Sequence, residues 1–215
     1  MNVTPAVPDQ TVYIVDDDEA LRDSLLWLLE SNNRKVAQFD SAEAFLAAYR
    51  PEMTGCLVLD VRMPGMSGLE LYERLRERHA TLPVLFITGH GDVPMAVSVL
   101  KKGAVDFIEK PFSDTDMLKL IDQCLTTELE NRERLRQDAA VARRLDQLTG
   151  REMEVLELII AGRLNKQIAD DLGISIKTVE VHRARVMEKM EANSLAELVQ
   201  SVMTCESARG RFSTL

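Results

Sequence analysis

Cysteine is scarce and badly spaced for any covalent or metal framework. The 215 residues contain three, Cys56, Cys124 and Cys205. The number is odd and the intervals are long, so neither a disulfide scaffold nor a zinc cluster can be built from them. Long apolar runs are missing too: stretches such as Val84 to Ile87 stop far below the ~18 residues of a membrane-crossing helix. The opening MNVTPAVPDQ lacks the basic start and apolar stretch of an export signal. Glycine and proline number only 10 and 7, which excludes collagen-like and low-complexity chains. What is present is an ordinary globular mixture, 46% hydrophobic and 28% charged. The reading is a folded cytoplasmic protein with no membrane partner, in one large domain or two small ones at roughly 100–200 residues each.

The net charge of −9 is unevenly placed. Residues 1–124 hold 12 Lys and Arg against 20 Asp and Glu, residues 125–149 hold 5 of each, and residues 150–215 hold 9 against 10. Such asymmetry predicts two modules with different tasks. The second half is not basic as a whole, so binding DNA there requires a local cationic stripe.

Residues 11–109 alternate β-rich runs with helical stretches. Strands are expected at 11–15, 35–39, 56–59, 83–87 and 104–108, with Leu21, Leu25, Leu28 and Leu29, then Leu69, Leu71 and Leu75, at helical spacing between them. Strands separated by helix-length segments predict an α/β, doubly wound, five-stranded parallel sheet covered on both faces. Ligands of such sheets sit at the carboxyl ends of the strands. Residues 113–148 carry no glycine and no proline and predict one long helix or two. Beyond Thr149 the pattern is purely helical, four helices punctuated by Gly162, Gly173 and Asn193 as end signals, then a small polar tail read as frayed.

Asp16, Asp17 and Asp18 follow the first strand, Asp60 ends the third, Thr88 ends the fourth and Lys110 follows the fifth. All reach one rim of the sheet. Loop aspartates are often helix caps, but a shared strand-end rim is hard to reach by capping alone. Carboxylates about 4 Å apart repel by about 4 kcal/mol per pair at an effective dielectric of 20. Lys110 offsets one charge, and a hard divalent ion such as Mg²⁺, held together with a phosphoryl group, suits the rest.

The segments IVDDDEALRDSL, LVLDVRMPGMSGLEL, FITGHGDVPMAV and GAVDFIEKPF resemble the receiver domain of two-component response regulators, the last two in wording close to the FixJ subfamily. The resemblance implies that Asp60 accepts a phosphoryl group from a sensor histidine kinase. It implies that Asp16, Asp17, Asp60 and the Arg62 main-chain carbonyl hold Mg²⁺, and that Thr88 and Lys110 grip the phosphoryl oxygens. Phe107 takes the place of a rotating aromatic switch, without the hydroxyl that tyrosine brings in many relatives. Lys110-Pro111 matches a cis peptide of the family, a form only X–Pro adopts cheaply. Phosphohydrolases with an aspartyl nucleophile place a second aspartate two residues on; here that position is Arg62, which argues against such an enzyme. The chain is read as no enzyme beyond its own phosphorylation and slow dephosphorylation.

In the second half, Lys166 to Ser175 reads as helix, glycine turn and capped helix start. Residues 176–190 carry Lys177, Arg183, Arg185 and Lys189 against Glu180 and Glu188, the local stripe that phosphate contact requires. A helix-turn-helix places the start of its second helix in the major groove; a bundle for protein contacts would show much the same periodicity. The stretch LTGREMEVLELIIAGRLNKQIADDLGISIKTVEVHRARVMEKM resembles the LuxR-type (NarL/FixJ) DNA-binding domain throughout. It implies DNA contacts from Lys166, Lys177, Thr178, Arg183, Arg185 and Lys189, with Glu180, Val181 and Ala184 nearest the base edges.

The expected layout is a receiver over 9–124, a helical linker over 125–148, a four-helix LuxR-type helix-turn-helix domain over 149–204 and a flexible tail over 205–215. The expected function is a phosphorylation-dependent, DNA-binding transcriptional regulator, by analogy an activator meeting RNA polymerase. Phosphorylation would change the surface carrying Val97, Lys101 and Val105 and favour a homodimer on double-stranded operator DNA, with Leu195, Leu198, Val199 and Val202 as a second seam or as cover for their own core. Two alternatives stand beside it: a phosphorelay intermediate, and a constitutive DNA-binding protein with an inactive receiver.

Overall fold

The structure is a computed structural model, and the residues it describes are 10–89, 103–205, 208 and 212. The chain divides into two compact units, residues 1–131 and 132–215. In the first, β1 (Thr11–Val15), β2 (Lys35–Phe39), β3 (Gly55–Asp60), β4 (Val84–Thr88) and β5 (Asp106–Glu109) form one sheet in the order β2-β1-β3-β4-β5. Every pairing is parallel. The sheet is the one the alternating runs predict, and β5 starts two residues later than expected.

Strand alternation sorts the core into two layers. Tyr13, Val15, Leu57, Leu59, Val84 and Phe86 pack with Phe45 of α2 (Ala42–Ala48) and Leu71, Tyr72 and Leu75 of α3 (Gly68–Glu77). Val12, Ile14, Cys56, Val58, Leu85 and Ile87 face the other way, onto Leu25, Leu28 and Leu29 of α1 (Glu19–Ser31) and Met117, Ile121 and Cys124 of α4 (Asp114–Asp146). Both faces are covered, which is why the central strands are buried at every position and apolar along most of their length, polar residues appearing only at their ends. Side-chain caps start the helices where the sequence changes period: Asp18 for α1, Ser41 for α2 and Ser67 in a capping box with Glu70 for α3.

The second unit contains α5 (Gly150–Ile160), α6 (Asn165–Leu172), α7 (Ile176–Lys189) and α8 (Leu195–Thr204). Gly173 ends α6 in the left-handed region at φ +63° and Ser175 caps α7 two residues later, a tight turn that glycine permits without steric cost. At the end of α7 the left-handed residue is Glu191, not Asn193; its φ is +54° and its carboxylate pairs with Arg144.

Two expectations change, and one left open is settled. Within the stretch 113–148, Asp114–Asp146 forms one helix of 33 residues, the first of the two readings that the sequence allows. Leu125 is buried in the sheet unit, and Val141 and Leu145 are buried in the helical core. The tail is not frayed at its apolar positions either: Cys205, Ala208 and Phe212 are buried in that same core, their spacing of three and four matching one helical face. Leu198 and Val202 are both 0% exposed and fill their own unit, so neither can serve a dimer seam. Val97 and Lys101 lie outside the described residues; Val105 is half-buried against the sheet core.

Candidate functional site

The sheet order reverses at β1 and β3, and the crevice beyond their carboxyl ends is where such sheets bind ligands. Asp16 and Asp60 emerge there, both buried. The Lys110 ammonium donates to Asp60 Oδ1 at 2.7 Å and to Asp16 Oδ2 at 3.1 Å. The backbone N–H of Arg62 donates to Asp60 Oδ2 at 2.6 Å, and that of Asp18 to Asp16 Oδ1 at 2.8 Å. Thus both carboxylates are oriented by the chain that follows them. Lys110 precedes a cis bond to Pro111, and its own N–H returns to the Thr88 carbonyl at 2.8 Å.

Two features of this pocket are unbalanced. Asp16 and Asp60 share a single ammonium, and Asp17 stands exposed beside them. Burial raises the Asp60 carboxyl above its ordinary range, an effect that Lys110 opposes only in part and Asp16 reinforces. Lys110 is itself dehydrated, yet its bonds to Asp60 and Asp16 hold its ammonium above the ordinary lysine value. The second imbalance is Thr88, whose Oγ1 is buried with no hydrogen-bond partner among the described residues. A buried hydroxyl left so is costly, by about 1–3 kcal/mol. An anionic oxygen arriving beside Lys110 would give it a partner.

These residues fit Mg²⁺. Among the described residues no three His, Cys, Asp or Glu side chains form a cage, and Mg²⁺ does not need one. It keeps several waters and binds through one or two carboxylates plus phosphate oxygens. The arrangement supplies an oriented, ionisable carboxylate, neutralising charge and a hydroxyl donor, the requirements of phosphoryl transfer to an aspartate.

Several supporting residues were invisible in the sequence. Gly68 begins α3 with its Cα against the Asp60 carbonyl; an added Cβ would lie 2.0 Å from that oxygen. Arg22 reaches back from α1 to donate to the Asp16 carbonyl at 2.7 Å, and Gln38 of β2 donates to the Arg22 carbonyl at 2.7 Å. Glu43 Oε1 accepts the Met66 N–H at 2.8 Å. These links span 6 to 23 residues and follow no period. Phe107 is half-buried against the layer of Tyr13 and Phe86.

On α7, Val179, Val186 and Met190 enter the core, which turns the rest of the helix outward. Lys177, Thr178, Glu180, Val181, Ala184 and Arg185 are exposed, Arg183 is half-buried, and Lys166 is exposed on α6. Lys189 differs from expectation. Its ammonium donates to the buried Glu152 carboxylate at 2.6 Å and to the Gln147 carbonyl at 3.1 Å, which commits it inside the unit rather than to a phosphate. Glu152 also accepts the Thr149 N–H at 2.9 Å. Lys189 first, and then this N–H, lower its carboxyl to about 2. The exposed cationic stripe is therefore shorter than the sequence implies.

Comparison with known proteins accords with both surfaces. Residues 12–122 match the response regulator receiver domain, and residues 146–202 match the luxR family of bacterial regulatory proteins. The transcriptional regulatory protein FixJ of Rhizobium meliloti is 50% identical over 196 residues, 91% of this chain and 96% of that protein. FixJ of Azorhizobium caulinodans is 49% identical over 192 residues, 89% and 91% of the two chains. The solved response regulator StyR superposes with a TM-score of 0.79 at 47% identity, covering 90% of this chain and 98% of its own. Receivers of this family typically use Mg²⁺ for phosphorylation. With the acidic strand-end pocket in one unit and an outward-facing recognition helix in the other, the chain belongs to the two-component response regulators, as a FixJ-like, phosphorylation-controlled transcriptional regulator with a LuxR-type DNA-binding output.

Proposed function

We propose that Asp60 is the phosphoacceptor and that its modification is read out by the exposed face of α7 on operator DNA. The observation that carries this is the shared ammonium: Lys110 bridges Asp60 and Asp16 while the buried Thr88 hydroxyl next along the rim lacks a partner among the described residues. An Asp60 carboxylate oxygen attacks the phosphorus of a kinase phosphohistidine. The O–P bond forms, the P–N bond breaks, and the electron pair leaves with the imidazole, which takes up a proton. No general base is needed, because the nucleophile is already ionised. Mg²⁺ held by Asp16, Asp17, Asp60 and the Arg62 carbonyl would neutralise charge on the transferred group. Lys110 binds a second phosphoryl oxygen, and Thr88 turns its hydroxyl to a third. Phe107 then moves into the space beside Thr88 by apolar packing alone. The surface that includes Val105 answers this change and favours a homodimer. Functioning on operator DNA beside RNA polymerase, as an activator, places the protein in the cytoplasm. Among the described residues no helix is long and apolar enough to cross a membrane.

The reactivity of Asp60 carries a pH signature. Its carboxyl is raised by burial, so it protonates at a higher pH than an ordinary aspartate, whose value is about 3.9. Phosphorylation by a small phosphodonor at limiting Mg²⁺ is therefore expected to slow on acidification while exposed aspartates are still ionised. A rate profile flat down to the ordinary aspartate range would refute the raised value.

For the output unit, Lys166, Lys177, Thr178, Arg183 and Arg185 contact the DNA backbone, and Glu180, Val181 and Ala184 face base edges. Lys177, Val181, Ala184 and Arg185 fall on one exposed helical face. An acidic Glu180 favours the cytosine amino group. Arg183→Ala and Arg185→Ala are each expected to weaken binding across sequences and to lower the log–log salt slope by about 0.9. A titration series from low to high salt measures it, and an unchanged slope would remove that residue from the contact set. The second dimer seam is revised to the outward stripe of α8, Leu195, Val199 and Met203. Leu195 and Met203 are 46% and 48% exposed and the three recur every four residues.

A further inference from the structure

We propose that Glu43, on α2 and outside the pocket, is a positioning residue for Mg²⁺. It acts by holding the loop between β3 and α3 in the shape that presents the Arg62 carbonyl. The inference rests on the reading of that pocket given above. The loop begins at Val61, whose N–H bonds the Ile87 carbonyl at 3.0 Å, and closes at Gly68, whose N–H returns to the Val61 carbonyl at 3.1 Å. Both ends are thus fastened to the sheet. The outer turn is fastened to a different element: the Met66 N–H donates to Glu43 Oε1 at 2.8 Å. Gly65 beside it has φ +74°, and a Cβ there would lie 2.9 Å from the same oxygen. The carboxylate is therefore seated directly against the loop backbone, and glycine at 65 both permits the left-handed turn and leaves room for the oxygen. Ser41, which caps α2 through the Ala44 N–H, sets the start of the helix from which Glu43 projects. Arg62 lies between the two fastened ends, and its N–H already orients Asp60. A loop released at Met66 would keep Asp60 in place through the strand while loosening the main chain that follows it.

The role needs an acceptor at Oε1 and no charge, which separates it from simple electrostatic attraction of a cation. The test is calorimetric titration of Mg²⁺ alone into the full-length protein and its Glu43→Ala, Glu43→Gln and Gly65→Ala variants, with thermal unfolding of each. Partners behind metal ligands typically change metal affinity by about 10–100-fold. Glu43→Ala is expected at the lower end, about tenfold weaker, with Glu43→Gln close to wild type. Gly65→Ala, which crowds the same oxygen and strains the left-handed turn that the carboxylate braces, is expected to weaken Mg²⁺ binding as well. Wild-type affinity in a folded Glu43→Ala protein overturns the proposal. Equal losses in Glu43→Ala and Glu43→Gln overturn it too, assigning the effect to charge. Should Glu43→Ala not fold, the Gln and Gly65→Ala variants decide between the same outcomes. Absence of Mg²⁺ uptake by the wild type would overturn the pocket reading itself and this inference with it.

Discussion

Asp60→Asn is expected to abolish the increase in operator affinity that a phosphodonor and Mg²⁺ bring about. The amide has no ionised oxygen with which to form the O–P bond, while its size leaves the pocket filled. If the competent state is about 1% populated before phosphorylation, recruiting it fully strengthens apparent binding by up to about 100-fold; the variant should show a ratio of one. Reversing a 1:99 equilibrium needs about 5.5 kcal/mol of differential stabilisation, and two or three charge-assisted bonds from Lys110 and Thr88 are of that order. Footprinting with and without phosphodonor, alongside phosphoprotein electrophoresis, distinguishes the alternatives. Equal footprints in all lanes would indicate a constitutive DNA-binding protein. Phosphorylation without any footprint would indicate a relay intermediate. A full response in Asp60→Asn would place the acceptor elsewhere. The same variant should unfold at higher temperature near neutral pH: the folded-state pKa of Asp60 is raised, so ionising it there costs stability that a neutral side chain spares.

The second large effect concerns Lys189. As a phosphate contact its loss would flatten the salt dependence of DNA binding; as the partner of Glu152 its loss should destabilise the helical unit and leave the slope alone. Lys189→Met removes two bonds from an ammonium and leaves Glu152, which is 2% exposed, without its cation. Hydrogen bonds to charged groups contribute about 1.5–3 kcal/mol, so a loss of about 2–3 kcal/mol is expected. That lowers the melting temperature by roughly 10–20 °C for a unit of this size. The pH dependence gives a second readout. Glu152 has a folded value of about 2 against an ordinary 4.5, so the stability it contributes is fully present above about 4.5 and disappears as pH falls through about 2. In Lys189→Met this acid-side loss should shrink. A variant with wild-type melting behaviour and a reduced salt slope would return Lys189 to the DNA.

The sheet and its rim were legible because the relevant information is local. Each strand is a short β-rich run, each rim residue ends its strand or follows it directly, and parallel topology brings those ends together whatever lies between. Asp16, Asp60, Thr88 and Lys110 could therefore be grouped while up to 94 residues apart. The recognition helix was legible for a similar reason, since Val179, Val186 and Met190 mark its inward face. What failed was knowledge of partners. The stripe of Leu198 and Val202 shows that α8 has an apolar face but not which body it covers, and here it is its own unit. Lys189 looked like its cationic neighbours because its partner lies 37 residues upstream. Cys205, Ala208 and Phe212 had a helical period that the small polar residues around them concealed. Glu43 and Met66 carry no shared pattern at all.

The placement of the three cysteines gives the molecule a practical property. Cys56, Cys124 and Cys205 are all buried and none of them forms a disulfide, and burial pushes the Cys124 thiol up to about 12 and that of Cys56 well above its ordinary value. Thiolate is the reactive form, so native cysteines in the folded protein should resist maleimides and mild oxidants. A single thiol engineered onto the outer face of α7 or α8 can then be labelled selectively without first stripping the chain of its own sulfur.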